Sequence, residues 1–148
     1  MVSERLPKLA GFVKSLENVG FIFNVNRFNH RLKLQKFVYL ARRFGLNLGY
    51  GYNLYIHGPY SPVLADDYYR LDENVTKEHV ELPEEFFKLV NKKSETWLEL
   101  AATLIMIEER NPGMNDEDKI NLVLSNKPFA DRETLKDVLR SLYKHKAI

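Results

Sequence analysis

The chain has 148 residues, and its net charge of +2 with an isoelectric point near 8.7 is too balanced for a dedicated nucleic-acid-binding domain. It contains no cysteine, which excludes disulfide bonds, thiolate nucleophiles and thiolate metal sites. No uninterrupted apolar run approaches the roughly 20 residues needed to span a bilayer, and charged residues interrupt the N-terminal segment. We therefore expect a cytoplasmic protein without a signal peptide, folded as one domain over residues 1–148.

Two helices are predicted in the first part of the chain. Residues 3–18 place apolar side chains at helical spacing, and residues 27–44 do so around most of the circumference, which predicts a well-buried second helix. Gly20 and Gly45 are expected to end these helices. Between them, "FIFNVN" at 21–26 alternates apolar and polar residues and predicts a short strand or extended segment.

The next segment has a period of two. Apolar residues at every second position of 46–57 predict a strand, with a turn or bulge at Gly49 and Gly51. The sequence "GPYSP" then ends the strand. Ser61 followed by Pro62 predicts the start of a helix that runs to about residue 73.

The C-terminal half is predicted to be helical. Ser94, Asn115 and Asp131 have the side chains of N-terminal caps, and the expected helices cover 83–93, 95–110, 115–125 and 131–146. The sequence therefore predicts a mainly α (α+β) fold. It would be a single-domain bundle of about six helices with one small antiparallel β element around residues 46–57.

Two segments in the middle of the chain carry a resemblance to known families. "KLQKFVYLARRFG" at 33–45 and "YNLYIHGPYSPVLADDYYRL" at 52–71 resemble the YwgA-like proteins, a bacterial and archaeal group, and more distantly the Panacea (SocA-like antitoxin) domain. Both groups have an "LQK…YL" helix that leads to a "GPYSP" turn before another helix. The resemblance implies a small, helical, cytoplasmic module that binds proteins as an antitoxin or adaptor in prokaryotic toxin–antitoxin or phage-related systems. It implies no catalytic residues.

His57, Asp66 and Asp67 are the side chains near this turn with catalytic or metal-binding chemistry. Adjacent helical residues point about 100° apart, so the two aspartates cannot converge on one ion without further ligands. A catalytic His57 would need an orienting carboxylate and a nucleophile, and Ser61 is better explained as a helix cap. We therefore expect no catalytic residue, no metal and no cofactor, and a hydrolase centred on His57 and Asp66 is the least favoured hypothesis.

Tyrosines are concentrated in the segment 50–69. A small aromatic core explains this cluster about as well as an exposed surface does, although a buried tyrosine must still satisfy its hydroxyl. Clustered exposed tyrosines are common anchors of protein interfaces. Our leading hypothesis is therefore a non-enzymatic protein-interaction module whose binding surface is built from Tyr52, Tyr55, His57, Tyr60 and Tyr68.

Basic residues recur every four positions along the last predicted helix, at Arg132, Lys136, Arg140 and Lys144. Together with the preceding helix they have the pattern of a helix-turn-helix. A DNA-binding transcriptional regulator that uses residues 115–146 is therefore the alternative hypothesis. Acidic neighbours such as Glu133 and Asp137 favour a solvated outer face instead. We expect the partner to be another protein, with nucleic acid less favoured and no membrane.

Overall fold

The computed structural model describes residues 3–148. Within them, the helices are α1 (Leu6–Asn18), α2 (Phe28–Ala41, continued by the 3₁₀ turn Arg42–Phe44), α3 (Pro62–Tyr68), α4 (Glu84–Val90), α5 (Glu95–Arg110), α6 (Asp116–Asn126) and α7 (Arg132–Lys144). The strands β1 (Asn53–Tyr55) and β2 (Gly58–Tyr60) form one antiparallel sheet. The predicted mainly α (α+β) class is confirmed, and the described part of the chain has seven α-helices rather than about six.

Side-chain caps start four helices where the sequence predicts them. In each, a cap oxygen accepts a hydrogen bond from the backbone N–H three residues on. The pairs are Ser61 with Leu64 (3.1 Å), Ser94 with Trp97 (3.1 Å), Asn115 with Asp118 (2.8 Å) and Asp131 with Thr134 (2.9 Å). Pro62 takes the first helical position of α3, where its missing N–H removes no intrahelical bond. This helix ends at Tyr68 rather than near residue 73.

α5 is the central helix of the core. Its residues 98–107 are all buried, and the helix packs against α2, α6, α7 and β2. Leu104 is fully buried, as expected for a helix that is apolar on most sides. α5 therefore provides the support on which the small sheet rests.

The predicted strand over 46–57 is wrong in its extent. β1 begins only at Asn53, and residues 46–52 belong to no strand. Leu48 and Tyr50 are buried by packing against the helices, which produces a period of two without a partner strand. The first three residues of "GPYSP" do not end the sheet, because they form β2.

Residues 21–26, "FIFNVN", also form no strand in the described structure. Phe21, Phe23 and Val25 pack against the core from an irregular segment. The Arg31 guanidinium donates to the Val25 carbonyl at 2.7 Å and holds this segment next to α2. The alternation of apolar residues here reflects side-chain burial and not strand pairing.

Candidate functional site

β1, β2 and the two-residue turn between them form a hairpin over residues 53–60. Its register pairs Asn53 with Tyr60, Leu54 with Pro59, and Tyr55 with Gly58. Because proline has no N–H, the Leu54–Pro59 pair must be a non-hydrogen-bonded pair of the antiparallel ladder. Proline therefore fits into β2 without breaking it. The same register directs the backbone N–H and C=O of Leu54 away from β2.

Gly58 allows the hairpin to lie close to α5. Its φ of +86° is in the left-handed region, which favours glycine. A Cβ at this position would lie 2.8 Å from Thr103 Oγ1 and 3.4 Å from Glu99 Cγ, both on α5. The hairpin and the helix can approach this closely only because residue 58 has no side chain.

Two polar residues of α2 hold the second strand of the hairpin and the residue after it. Gln35 makes two hydrogen bonds of 2.9 Å with Ser61: Gln35 Nε2 donates to the Ser61 carbonyl, and Gln35 Oε1 accepts from the Ser61 N–H. Lys36 Nζ donates to the Pro59 carbonyl at 2.8 Å. Gln35, Lys36 and Ser61 are all fully buried. The "LQK" and "GPYSP" segments therefore meet in space and fix the hairpin to α2.

Glu99 of α5 is the centre of a buried group of charges under the turn. Lys127, which follows α6, places Nζ 2.7 Å from Glu99 Oε2 and donates to the Ile56 carbonyl at 3.2 Å. His57 Nδ1 lies 3.3 Å from Glu99 Oε1. Burial lowers the pKa of Lys36 to about 8, with Glu99 opposing the shift and Lys127 adding to it. The hairpin is thus anchored by charged groups from three separate parts of the chain: Lys36, Glu99 and Lys127.

The side chains at the tip of the hairpin are apolar and exposed. Ile56 is 85% exposed, and Leu54 and Tyr55 are 47% exposed each. A groove of about 340 Å³ lies among the hairpin, α5 and α6, where Leu122 and Val123 contribute to its apolar lining. This groove gives the exposed edge of β1 an apolar neighbour.

Two exposed phenylalanines extend this apolar area. The Phe28 ring, at the start of α2, lies 5.7 Å from the His57 ring, and the Phe129 ring lies 5.9 Å from Lys127 Nζ. Clustered exposed apolar side chains of this kind mark interaction sites. We name the following residues the hairpin surface: Phe28, Leu54, Tyr55, Ile56, Leu122 and Phe129.

The predicted tyrosine surface is only partly assembled by the fold. Tyr55 and His57 are exposed on the hairpin, and the half-buried Tyr60 packs edge-on against Tyr55 with ring centres 5.4 Å apart. The inclusion of Tyr68 is wrong, because it is only 3% exposed. Tyr68 follows the buried Leu64 by about one helical turn and so shares the inner face of α3.

Tyr52 also contributes little exposed area. Its ring packs edge-on against Tyr39 of α2, with ring centres 4.9 Å apart. Its hydroxyl is buried without a hydrogen-bond partner in the described residues, and burial raises its pKa. Of the five predicted residues, Tyr55, His57 and Tyr60 on the hairpin therefore remain as candidates for the binding surface.

Asp66 and Asp67 have different environments. Asp66 is exposed, whereas Asp67 is buried and accepts a hydrogen bond from the Tyr50 hydroxyl at 2.6 Å. His57 contacts Glu99 rather than Asp66. Within residues 3–148, no group of three or more His, Asp or Glu side chains is placed to hold a metal ion.

Most basic residues predicted as a nucleic-acid contact have acidic partners. The pairs are Arg132 with Glu117, Lys136 with Glu133, and Arg140 with Asp137. Arg132 also donates to Asn121 Oδ1 at 2.7 Å, and Lys144 is exposed near the end of α7. These pairs reduce the positive charge available to phosphate groups and favour the interpretation of this side of α7 as a solvated face.

The sequence-based site lacks the four polar residues that hold the hairpin: Gln35, Lys36, Glu99 and Lys127. Glu99 gives a signal, because it is the one charged residue in the apolar run "WLELAATLIMI". The sequence gives a weaker indication that Lys36 is buried, because this charged residue lies on a helix that is apolar around most of its circumference. The sequence gives no indication that Lys127 is buried, because "NKPFA" is an ordinary turn sequence. Its partner Glu99 is 28 residues away.

Comparisons of the chain with protein-family models, with curated proteins and with solved structures gave no match. No helix in the part of the chain that the structure describes is both long and apolar enough to cross a membrane. The geometry of the hairpin surface is therefore the main basis for a functional proposal.

Proposed function

We propose that this protein is a non-enzymatic protein-interaction module that binds its partner through the hairpin surface. The observation that most supports this function is at the hairpin tip. The Ile56 side chain is almost fully exposed, while its carbonyl accepts a hydrogen bond from the buried Lys127. A backbone fixed in this way lowers the entropic cost of ordering on binding, and an exposed apolar side chain upon it can act as an anchor.

The free edge of β1 favours an extended segment as the bound element. The Leu54 N–H and C=O point away from β2 and make no hydrogen bond within residues 3–148. Two residues along, the Ile56 carbonyl bonds to Lys127, which lines the same groove. A partner strand paired at Leu54 would place alternate side chains in this groove, as in other cases of strand addition.

Positive charge near the start of β1 favours an acidic residue in that segment. Arg110, at the end of α5, donates to Asn53 Oδ1 at 3.4 Å and forms no ion pair with the described residues. Close by, Arg42 and Arg43 share the carboxylate of Glu109. We therefore propose that the partner segment is extended and apolar, with an acidic residue near Arg110.

We further propose that the module is an antitoxin-like or adaptor-like protein of a prokaryotic toxin–antitoxin or phage-related system, acting in the cytoplasm. The support is the position of the two segments that resemble the YwgA-like and Panacea proteins. "LQK" supplies Gln35 and Lys36, "GPYSP" supplies Pro59 and Ser61, and the bonds between them fix the hairpin. Proteins that share these segments would then present an interaction hairpin at the same place.

Partner recovery by matched variants tests the proposal. Ile56→Ser removes the apolar tip, and Ile22→Ser is the control, since Ile22 is 69% exposed and lies outside the hairpin surface. Both variants should fold like the wild type, which the amide NMR spectrum can verify. In pull-downs from the native cytosol with quantitative mass spectrometry, we expect Ile56→Ser to lose a partner that Ile22→Ser retains. Equal recovery by the two variants would contradict the proposed function.

A second pair of variants tests the extended mode of binding. Leu54→Pro removes an N–H that the hairpin does not use, whereas Leu54→Ala only shortens the side chain. We expect Leu54→Pro to weaken partner binding more than Leu54→Ala does. Equal weakening would exclude strand addition while leaving the hairpin surface as the binding site.

A further inference from the structure

A cavity separate from the hairpin surface lies between α1, α2, α4 and the start of α5. Its volume is about 490 Å³, which is within the usual range of small-molecule sites. The floor is apolar, with Leu16, Phe37 and Val90 buried and Phe21 and Phe87 partly buried. The cavity therefore offers a ligand an apolar floor made by residues that are not part of the hairpin surface.

Three lysines line this cavity: Lys33, Lys92 and Lys93. None of them forms an ion pair with a carboxylate in the described part of the chain. Lys93 Nζ lies 4.9 Å from the centre of the Trp97 ring, which restrains this ammonium group. Glu95 is the one acidic residue in the lining, so the lining carries a net positive charge.

Lys92 occupies a backbone position that suits glycine. Residues 90–93 form a turn closed by a hydrogen bond from the Lys93 N–H to the Val90 carbonyl at 3.2 Å. Asn91 has φ −59° and ψ 127°, and Lys92 has φ 61°, which is the geometry of a type II turn with Lys92 in the glycine position. A side chain there lowers stability, and this one places a positive charge beside the cavity.

We propose that this cavity binds a small organic anion with an apolar body, whose carboxylate or phosphate head contacts Lys33, Lys92 and Lys93. The body would cover the apolar floor, and the head would supply the negative charge that these lysines do not receive from the protein. A neutral apolar molecule would leave the lysines without partners. A fully polar anion would leave the floor in contact with water. The site does not depend on the proposed function of the hairpin surface.

NMR titrations of the full chain with octanoate, octyl phosphate and octanol test this site. We expect both anions to shift the amide signals of Gly20, Phe21 and Lys93, and octanol to bind about tenfold more weakly, since a charge-assisted contact accounts for about that factor. Neutralising two lysines together (Lys33→Gln with Lys93→Gln) should weaken binding of the anions about tenfold and leave octanol binding unchanged. The relative affinity of the two anions identifies the preferred head group.

Lys92→Gly separates a ligand-binding role from a structural one. Because glycine suits the positive φ, this variant should unfold at a higher urea concentration than the wild type, yet bind octanoate several-fold more weakly. Lys144→Gln, a substitution of an exposed lysine outside the cavity lining, should leave octanoate binding unchanged. The proposal would be overturned if neither anion binds, if octanol binds as tightly as the anions, or if the lysine substitutions leave anion affinity unchanged.

Discussion

Lys127 Nζ and Glu99 Oε2 lie 2.7 Å apart, and both side chains are more than nine-tenths buried. A buried ion pair contributes little net stability, but removal of one partner is costly because the other charge remains buried without compensation. Glu99 also faces His57 and opposes the pKa shift of Lys36. The buried charges under the hairpin therefore depend on this one carboxylate.

Glu99→Ala should lower the free energy of unfolding by about 3–5 kcal/mol, because it leaves the Lys127 ammonium buried and unpaired. Urea denaturation followed by circular dichroism measures this change. Glu133→Ala is the matched control, since Glu133 is exposed and its partner Lys136 lies 3.7 Å away. This substitution should change stability little. Similar losses in the two variants would show that the Glu99 cluster has no special energetic role.

Lys36 should make stability depend on pH. Burial lowers its pKa in the folded protein from 10.5 to about 8, so between these values the unfolded chain binds more protons and stability rises with pH. Below about pH 8, Lys36 is protonated in both the folded and the unfolded protein. Folding then carries the full free-energy cost of burying the ammonium group.

The measurement is the free energy of unfolding between about pH 8 and about pH 9.5, below the ordinary titration range of tyrosine. We expect the wild type to gain stability with pH more steeply than Lys36→Met, which has no group to deprotonate at this position. Parallel curves for the two proteins would contradict the lowered pKa.

Gly58→Ala should destabilise the protein by about 2 kcal/mol or more. Alanine is unfavourable at a φ of +86°, and its Cβ would lie 2.8 Å from Thr103 Oγ1. Gly51→Ala is the control, because a Cβ at Gly51 would meet no atom within 4 Å. Chemical denaturation measures the free energy of unfolding of both variants. If Gly58→Ala were as stable as the control, the hairpin would have to be able to move away from α5.

Gln35→Leu should destabilise the protein by about 1–3 kcal/mol, because it leaves the buried N–H of Ser61 without a partner. The Ser61 carbonyl loses the bond from Gln35 but still accepts one from the Ala65 N–H at 3.1 Å. Ser61→Ala removes only the cap hydroxyl and should cost about 0.5–2 kcal/mol. Thermal denaturation ranks the two variants. A larger loss for Ser61→Ala would mean that capping of α3, and not the link to α2, dominates at this position.

Local features of the fold could be predicted from the sequence, whereas strand pairing could not. The caps at Ser61 and Ser94 depend on a side chain and an N–H three residues away, so they are visible in the sequence. The burial of Leu48 and Tyr50 gives the same pattern as a strand, although helices cover them. Whether Pro59 ends a strand or belongs to one depends on register, which is set by the partner strand.

The site was harder to predict, because its parts are far apart in the sequence. The tyrosine cluster pointed to the segment that contains the hairpin, in which Tyr55 is exposed. It also included Tyr68, since residue type alone does not show which face of α3 a side chain occupies. Glu99 and Lys127 were missed because a buried charge is recognised by its partner, which only the tertiary fold brings close.

The hairpin is expected to form late in folding, although its strands are adjacent in sequence. An isolated two-stranded hairpin is only marginally stable in water. This hairpin is held by two lysines that are distant in sequence. Lys36, which bonds to Pro59, precedes it by 23 residues, and Lys127, which bonds to Ile56, follows it by 71 residues. Because these contacts form only after distant parts of the chain have packed, we expect the transition state for folding to lack them. Substitutions in the hairpin should therefore speed unfolding and leave the refolding rate almost unchanged.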